Sequence, residues 1–163
     1  MNLDKKINQA ETNLQRKLEW VGRHDSRTVF VTGIIIAMLG ILASASSKMI
    51  NWTICDYTVF GLTALLLFGS LLFIYRSQYP KTFSQNTSLN YFGTISEMKF
   101  DEFKRRTKQS SDEEYLEDML CQIHINSQIL KLKFKFLKIS FILLGTAVIP
   151  WLISIYLSHE YFK

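Results

Sequence analysis

The polar residues whose spacing best suits ligand binding lie in the second half of the chain. Gln122, Asn126 and Lys133 are separated by 4 and 7 residues, so they would share one face of a helix. Side-chain amides can read the edge of a nucleobase, and a lysine can neutralise a phosphate. A buried amide such as Asn126 can instead fix the register of packed helices. The pattern therefore leaves open a ligand site and a structural role.

A second candidate combines aromatic residues with a predicted helix start at Tyr91, Phe92, Gly93 and Thr94. Thr94 and Glu97 have the spacing of a capping box, which predicts a short helix continuing to Arg106. Free amides at a helix start suit a phosphate, and an adjacent aromatic ring can stack on a base. The structural alternative is an aromatic pair that packs on a helix bundle.

Charged and aromatic residues also cluster just before the first apolar segment, where Trp20, Asp25 and Arg27 lie. Asp25 could pair with Arg23 or with a lysine of another helix. Four lysines at 131, 133, 135 and 138 precede the third apolar segment. Lysines at that position are typical of side chains that reach the membrane surface and contact anionic lipid.

The sequence contains no pattern that predicts an enzyme. A phosphate-binding loop, a nucleophile elbow and a metal motif are all missing from it. The histidines at 24, 124 and 159 do not cluster, and Cys55 and Cys121 fall on opposite sides of the membrane in the topology below. We therefore predict no catalytic activity, no cofactor, no metal and no disulfide within the chain.

Three uncharged segments must position these residues. Residues 28–47, 57–75 and 139–158 contain no Asp, Glu, Lys, Arg or His, and each is long enough to span a bilayer. Gly33, Ala37 and Gly40 give the first segment a face small enough for close helix packing. Gly61 and Gly69 are possible contact points on the second.

Two of these segments continue polar helices with apolar seams. One seam runs from Leu116 to Leu137 in alternating steps of 4 and 3, and Ser111 with Glu114 predicts a capping box at the start of its helix. A similar seam from Leu3 to Val21 predicts a helix over residues 3–46. We expect the two seams to pack as a stalk; an in-plane membrane helix is the alternative for the first.

The distribution of positive charge predicts the topology. Residues 1–27 hold six Lys and Arg and residues 76–138 hold eleven, whereas residues 48–56 and the tail after 158 hold one each. Basic segments stay in the cytoplasm, so the N-terminus is predicted to be cytoplasmic and the C-terminus external.

The expected fold is therefore an all-α membrane protein with three transmembrane helices. The first and third extend into a cytoplasmic stalk, and a short cytoplasmic helix follows the second. The predicted segments are 1–27 (amphipathic helix), 28–47, 57–75 and 139–158 (spans), 48–56 (external loop), 76–138 (cytoplasmic) and 159–163 (external tail).

The order of these features resembles a known family. The run from Leu18 to Arg27 leads into an apolar span, Tyr91 to Ile95 follows the second span, and Gln122 to Phe134 precedes the third. Over residues 10–157 this resembles the transmembrane effectors of Pycsar, an anti-phage system built on cyclic pyrimidine nucleotides. The matching positions include Asp25, Gln122, Asn126, Ser127 and Lys133, and Arg27 stands where the family commonly has lysine.

The resemblance implies an inner-membrane effector that impairs membrane integrity when cyclic CMP or cyclic UMP, made by a partner nucleotide cyclase, binds it. Growth arrest or abortive infection would follow. We expect a homo-oligomer, because a chain of 163 residues with three spans is too small to form a conducting path alone. Its partners would be the bilayer and the nucleotide, with no nucleic acid. The predicted ligand-binding residues are Trp20, Asp25, Arg27, Tyr91, Phe92, Gly93, Thr94, Gln122, Asn126 and Lys133. The alternatives are a structural or adaptor subunit that binds no ligand and a constitutive holin-like pore former.

Overall fold

The computed structural model describes residues 2–79 and 88–160, which form five α-helices and no strand. Residues 80–87 of the predicted loop and 161–163 of the predicted tail lie outside this description. The helices are α1 (Leu3–Ser46), α2 (Ile54–Gln78), α3 (Phe92–Glu97), α4 (Phe100–Gln109) and α5 (Asp112–Glu160). The prediction of an all-α protein is confirmed.

The two long helices have the predicted ends. Helix α1 covers Leu3–Ser46 without interruption, and α5 begins at Asp112 and continues through Pro150. The backbone N–H of Ser111 donates to a Glu114 carboxylate oxygen at 3.0 Å, and the Glu114 N–H donates to Ser111 Oγ at 3.2 Å. This capping box provides acceptors for amides that the first turn of a helix leaves without partners.

The prediction of one short helix from Thr94 to Arg106 is wrong. Two helices, α3 and α4, replace it, because Met98 and Lys99 adopt extended backbone between them. Thr94 does not cap either helix. The N-cap of α3 is Tyr91, so Thr94 falls within the first turn, where its side chain is buried.

Three helices, α1, α2 and α5, are long and apolar enough to cross a membrane. With this composition the protein is membrane-embedded. The chain forms two compact units. We call the described residues of Met1–Arg23 and Pro80–Leu132 the polar unit, and the described residues of His24–Tyr79 and Lys133–Lys163 the apolar unit.

The apolar unit is a three-helix bundle with a strict seven-residue repeat. The contacts of α2 with α5 run in opposite directions along the two sequences, from Thr63 with Ser154 to Ser77 with Lys133, so these helices are antiparallel. Every buried residue of α2 falls on alternating steps of 4 and 3. The set is Asp56, Phe60, Thr63, Leu67, Ser70, Ile74 and Ser77.

The apolar positions of this repeat form the core. Ile35, Leu67 and Ala147 are completely buried, one from each helix, and Leu144 packs with them. Trp151 joins the same cluster, and its indole N–H donates to the Met38 carbonyl at 3.1 Å. Because lipid is as apolar as leucine, close contact between side chains rather than escape from water holds such a bundle together.

The polar positions of the repeat pair across helices. Ser70 Oγ lies 2.7 Å from Ser140 Oγ, and Thr63 Oγ1 lies 3.4 Å from Ser154 Oγ. Among the described residues, every buried side-chain nitrogen or oxygen has a hydrogen-bond partner. A hydroxyl without a partner is costly in hydrocarbon, so these pairs explain how α2 can bury a hydroxyl in every heptad.

Of the glycines predicted to allow close helix packing, only Gly69 does so within the described residues. A Cβ built on Gly69 would lie 3.4 Å from Leu143 Cδ1, so this glycine allows α2 and α5 to approach closely. Nothing lies within 4 Å of the corresponding position at Gly33, Gly40 or Gly61. The small face of α1 is therefore not used for packing within the described chain.

In the polar unit, a hydrogen bond links the amphipathic part of α1 to α5, because the Tyr115 hydroxyl donates to Glu11 at 3.0 Å. Ala10 and Met119 are buried, whereas Leu18 and Leu120 of the predicted seams are each 54% exposed. The seam on α5 therefore buries Met119 in preference to Leu120.

Neighbouring isoleucines on α1 test the packing of the apolar unit. Ile35→Ala removes a fully buried side chain and should lower the free energy of unfolding in detergent micelles by at least ~1 kcal/mol, because the cavity loses its packing contacts. Ile36→Ala makes the same chemical change at a side chain that is 58% exposed and should have little effect. Equal destabilisation by both variants would contradict this core.

Candidate functional site

The apolar unit contains a buried histidine that links its helices. The His24 side chain is completely buried, and its Nε2 lies 2.9 Å from Ser77 Oγ on α2. Its Nδ1 lies 3.1 Å from Asp25 Oδ1. The edge of the ring faces Phe134 on α5, with ring centroids 5.3 Å apart. One imidazole thus contacts side chains from all three helices.

A lysine completes this group. Lys133 Nζ donates to Asp25 Oδ1 at 2.7 Å, and the Lys133 carbonyl accepts from Ser77 Oγ at 3.0 Å. The Lys133 side chain is 14% exposed, whereas that of Asp25 is 45% exposed. We call His24, Asp25, Ser77 and Lys133 the polar junction. Next to it, the Gln78 amide donates to the Thr28 hydroxyl.

The polar junction favours an ionised Asp25. Partial burial acts to raise the pKa of this carboxyl, but hydrogen bonds from Lys133 and His24 and their positive charge outweigh it, so the pKa lies below its ordinary value of 3.8. Asp25 therefore remains a carboxylate at neutral pH. The Asp25 pairing with a lysine is one of the two alternatives that the sequence left open.

The Ser77 hydroxyl can be satisfied in two ways, because it carries one proton and has two acceptors in reach. In one, it donates to neutral His24, whose Nδ1–H donates to Asp25. In the other, it donates to the Lys133 carbonyl and accepts from His24, which is then an imidazolium with both N–H groups donating. The hydrogen bonding of the junction thus depends on the proton content of His24.

The predicted amides lie in the polar unit and are used within it. Gln122 is buried, and its side-chain N–H donates to the buried Ser88 hydroxyl at 3.0 Å. The Asn126 side chain donates to the Gln122 carbonyl at 2.8 Å. The Asp118 carboxylate on the same helix accepts from the Leu89 backbone N–H at 3.1 Å and from the Asn90 side-chain amide at 2.8 Å. The bonds of Gln122 and Asp118 attach residues 88–90 to α5, whereas the Asn126 bond lies within α5.

The aromatic motif lies at the start of α3. The rings of Tyr91 and Phe92 are 4.7 Å apart, and Phe92 is 72% exposed. A Cβ added to Gly93 would clash with the Tyr91 ring, so only glycine allows this ring position. Thr94 is buried. Phe92 is the member of the motif that is available to stack on another ring.

The remaining predicted residues lie on α1. Trp20 is 45% exposed, and the Arg23 guanidinium carbon lies 5.7 Å from the centre of its ring, which is within cation–π range. Arg27 belongs to the apolar unit and is exposed. The structure thus joins Asp25 to Lys133 in the apolar unit and Gln122 to Asn126 in the polar unit.

Reasoning from the sequence did not assign two residues of the polar junction, His24 and Ser77, to the site, although His24 lies beside Asp25 before the first span. Ser77 belongs to a series on α2 in which Asp56, Thr63, Ser70 and Ser77 recur every seven residues, and all four are buried. That regular polar spacing was a usable signal. His24 carried none, because a lone histidine before an apolar segment has no distinctive spacing.

The Asp25 interaction predicts a pH dependence. A carboxyl whose pKa is lowered by folding stabilises the protein above its ordinary pKa of 3.8, and this contribution disappears as the pH falls through the lowered value. The stability difference between wild type and Asp25→Asn should therefore be constant at neutral pH and shrink below about pH 4. Chemical unfolding in micelles across this range measures it, and a difference that grows on acidification would contradict the assignment.

Comparison with known proteins adds a family to this geometry. No curated protein and no solved structure matches the chain. A family model described as "PycTM: Pycsar effector protein domain" matches residues 9–158, a range that includes the three uncharged segments, the polar junction and the aromatic motif. The match extends over most of both units, so the chain belongs to the Pycsar effector protein family.

Proposed function

We propose that this anti-phage defence effector is a membrane protein gated by a cyclic pyrimidine nucleotide. Its role as a defence effector follows from the family. Cyclic CMP or cyclic UMP, made by a partner nucleotide cyclase, shifts a closed homo-oligomer toward a state that impairs the inner membrane. Growth arrest or abortive infection follows. The observation that carries this proposal is the family match over residues 9–158.

The structure of the apolar unit supports a closed resting state. The hydroxyls Thr63, Ser70, Ser140 and Ser154 are all buried against partners, so they do not line an open path. The core between them consists of residues such as Ile35 and Leu67. A permanently wet channel would instead need exposed polar side chains along the spans. This arrangement favours a gated effector over a constitutive holin-like pore.

The polar junction is suited to hold the closed state. Buried and partly buried polar groups from α1, α2 and α5 meet there. Asp25 is partly exposed, so solvent screening limits the strength of its ion pair with Lys133 to roughly 0.5–1 kcal/mol. An interaction of that size can be broken by a ligand that binds the open state several-fold more tightly than the closed state.

Recognition of the base is assigned in this proposal to the polar unit. Phe92 and Trp20 present exposed aromatic surface, and Asn126 and Gln122 carry amides. Both amides donate inside the unit in this structure, so base recognition would have to exchange those bonds for bonds to the ligand. Helices α1 and α5 each contribute residues to both units. A ligand that binds the polar unit can therefore shift the segments of α1 and α5 that form the junction.

The proposal includes an orientation, with the N-terminus and the central polar segment in the cytoplasm, where a cyclase product would accumulate. The charge distribution supports this orientation, because residues 1–27 and 76–138 carry most of the Lys and Arg.

Vesicle leakage tests the proposed gating. The purified full chain is reconstituted into dye-loaded vesicles, and cyclic CMP, cyclic UMP, cyclic AMP or buffer is added. We expect rapid dye release with one pyrimidine nucleotide and little release with cyclic AMP or buffer. Release without nucleotide would support the holin-like alternative. If no nucleotide causes release or shifts the thermal stability, the proposal fails and a structural or adaptor role replaces it.

Adjacent lysines on α5 test the role of the junction. Lys133→Ala removes the cation that pairs with Asp25 and should raise leakage without nucleotide by roughly two- to fivefold, since ~0.5–1 kcal/mol of closed-state stabilisation is lost. The matched control is Lys131→Ala, which removes the same charge from an exposed side chain two residues away. Its leakage should resemble that of wild type. Equal effects of both variants would indicate a general response to charge.

A further inference from the structure

The end of the apolar unit that contains the polar junction carries an excess of positive charge. Arg27 precedes Thr28 on α1, Arg76 precedes Ser77 on α2, and Lys135 and Lys138 follow Lys133 on α5. We call Arg27, Arg76, Lys135 and Lys138 the cationic collar. All four are exposed.

The contacts of the junction place these four residues near one level of the bundle. Ser77 bonds to His24 and to the Lys133 carbonyl, and Gln78 bonds to Thr28, so the three helices are in register here. At ~1.5 Å of rise per residue, Lys138, the farthest of the four from its junction residue, lies ~7.5 Å along α5 from Lys133. The collar therefore surrounds one end of the bundle within about one and a half helical turns.

The collar has no free counter-charge at its own end of the apolar unit. Across residues 24–79 and 133–160 the acidic residues are Asp25, Asp56 and Glu160, and Glu160 lies at the far end of α5 from the collar. Asp25 pairs with Lys133, and Asp56 caps the opposite end of α2, where its carboxylate accepts from the Thr53 backbone at 2.8 Å. Within the described residues, none of the four collar side chains forms an ion pair.

The position of the collar determines which anion can satisfy it. Arg27, Arg76 and Lys138 are each the charged residue adjoining an uncharged span, so their side chains lie at the depth of lipid headgroups. At the opposite end, the segments 48–56 and 159–163 together hold two Lys and two acidic residues, whose charges cancel. Headgroup phosphates at one leaflet are thus the complementary partner, and anionic headgroups are attracted more strongly than zwitterionic ones.

We propose that the cationic collar is a binding surface for anionic phospholipid of the cytoplasmic leaflet, and that this lipid stabilises the resting bundle. In this proposal Arg27 binds lipid rather than the nucleotide. Lys133 lies at the same end of the bundle but is not part of the collar, because its charge is already neutralised by Asp25. The choice of leaflet rests on the proposed orientation, whereas lipid binding by the collar does not require nucleotide gating and is testable without any nucleotide.

Thermal unfolding of the full chain in a non-ionic detergent tests this surface. Phosphatidylglycerol should raise the midpoint by at least ~3 °C, whereas phosphatidylcholine and inorganic phosphate at the same concentration should not. Added salt should reduce the shift, because surface charges are screened. Equal stabilisation by phosphatidylcholine would show a general lipid effect, and stabilisation by inorganic phosphate would show a small-anion site; either result overturns the proposal.

A pair of matched variants locates the surface. The collar variant carries Arg27→Gln, Arg76→Gln, Lys135→Gln and Lys138→Gln and should lose most of the shift caused by phosphatidylglycerol. The control variant carries Lys5→Gln, Lys6→Gln, Lys104→Gln and Lys108→Gln, which removes the same charge from exposed residues of the polar unit, and should keep the shift. Equal loss in both would reduce the effect to net charge and overturn the proposal.

Two double variants keep the test informative if the collar variant does not fold. Arg27→Gln with Arg76→Gln, and Lys135→Gln with Lys138→Gln, should each lose part of the shift. A full shift in both double variants would exclude the collar as the binding surface.

Discussion

The need to satisfy polar side chains without water determines how the apolar unit is built. Hydrocarbon supplies no hydrogen-bond partners, so each buried hydroxyl and charge must find one in the protein. Helix α2 meets this need at regular intervals. Thr63 pairs with Ser154, Ser70 with Ser140, and Ser77 with His24. These pairs hold the helices in register, and the apolar layers between them provide packing.

The same requirement explains why the polar junction is complex. A charged pair at the end of three spans must be hydrogen-bonded on several sides, and here Asp25 receives bonds from Lys133 and His24. The junction is nevertheless only partly shielded from solvent, because the Asp25 side chain is 45% exposed. The proposed gating needs an interaction that is strong enough to hold one state and weak enough to be released, and a partly exposed ion pair has that character.

Much of this architecture is readable from the sequence because membranes impose simple rules. The uncharged segments, the 3–46 helix and the Ser111–Glu114 cap follow from composition and capping chemistry. The break between α3 and α4 at Met98 cannot be predicted in this way, because no glycine or proline marks it in the sequence. At the candidate site, an ion pair between Asp25 and a lysine was one stated alternative. The role of His24 depends on the rotation of three helices, which spacing along one chain does not reveal.

The seven-residue repeat of the apolar unit has a mechanical consequence. An α-helix has 3.6 residues per turn, so a strict repeat of seven predicts that the three helices wind around one another in a left-handed supercoil. In such a coil, a helix that slides along its neighbours while keeping its contacts must also turn about its own axis. Axial displacement of α1 or α5 would therefore be coupled to rotation of that helix about its own axis. A small shift along the axis would rotate side chains from the seam toward lipid.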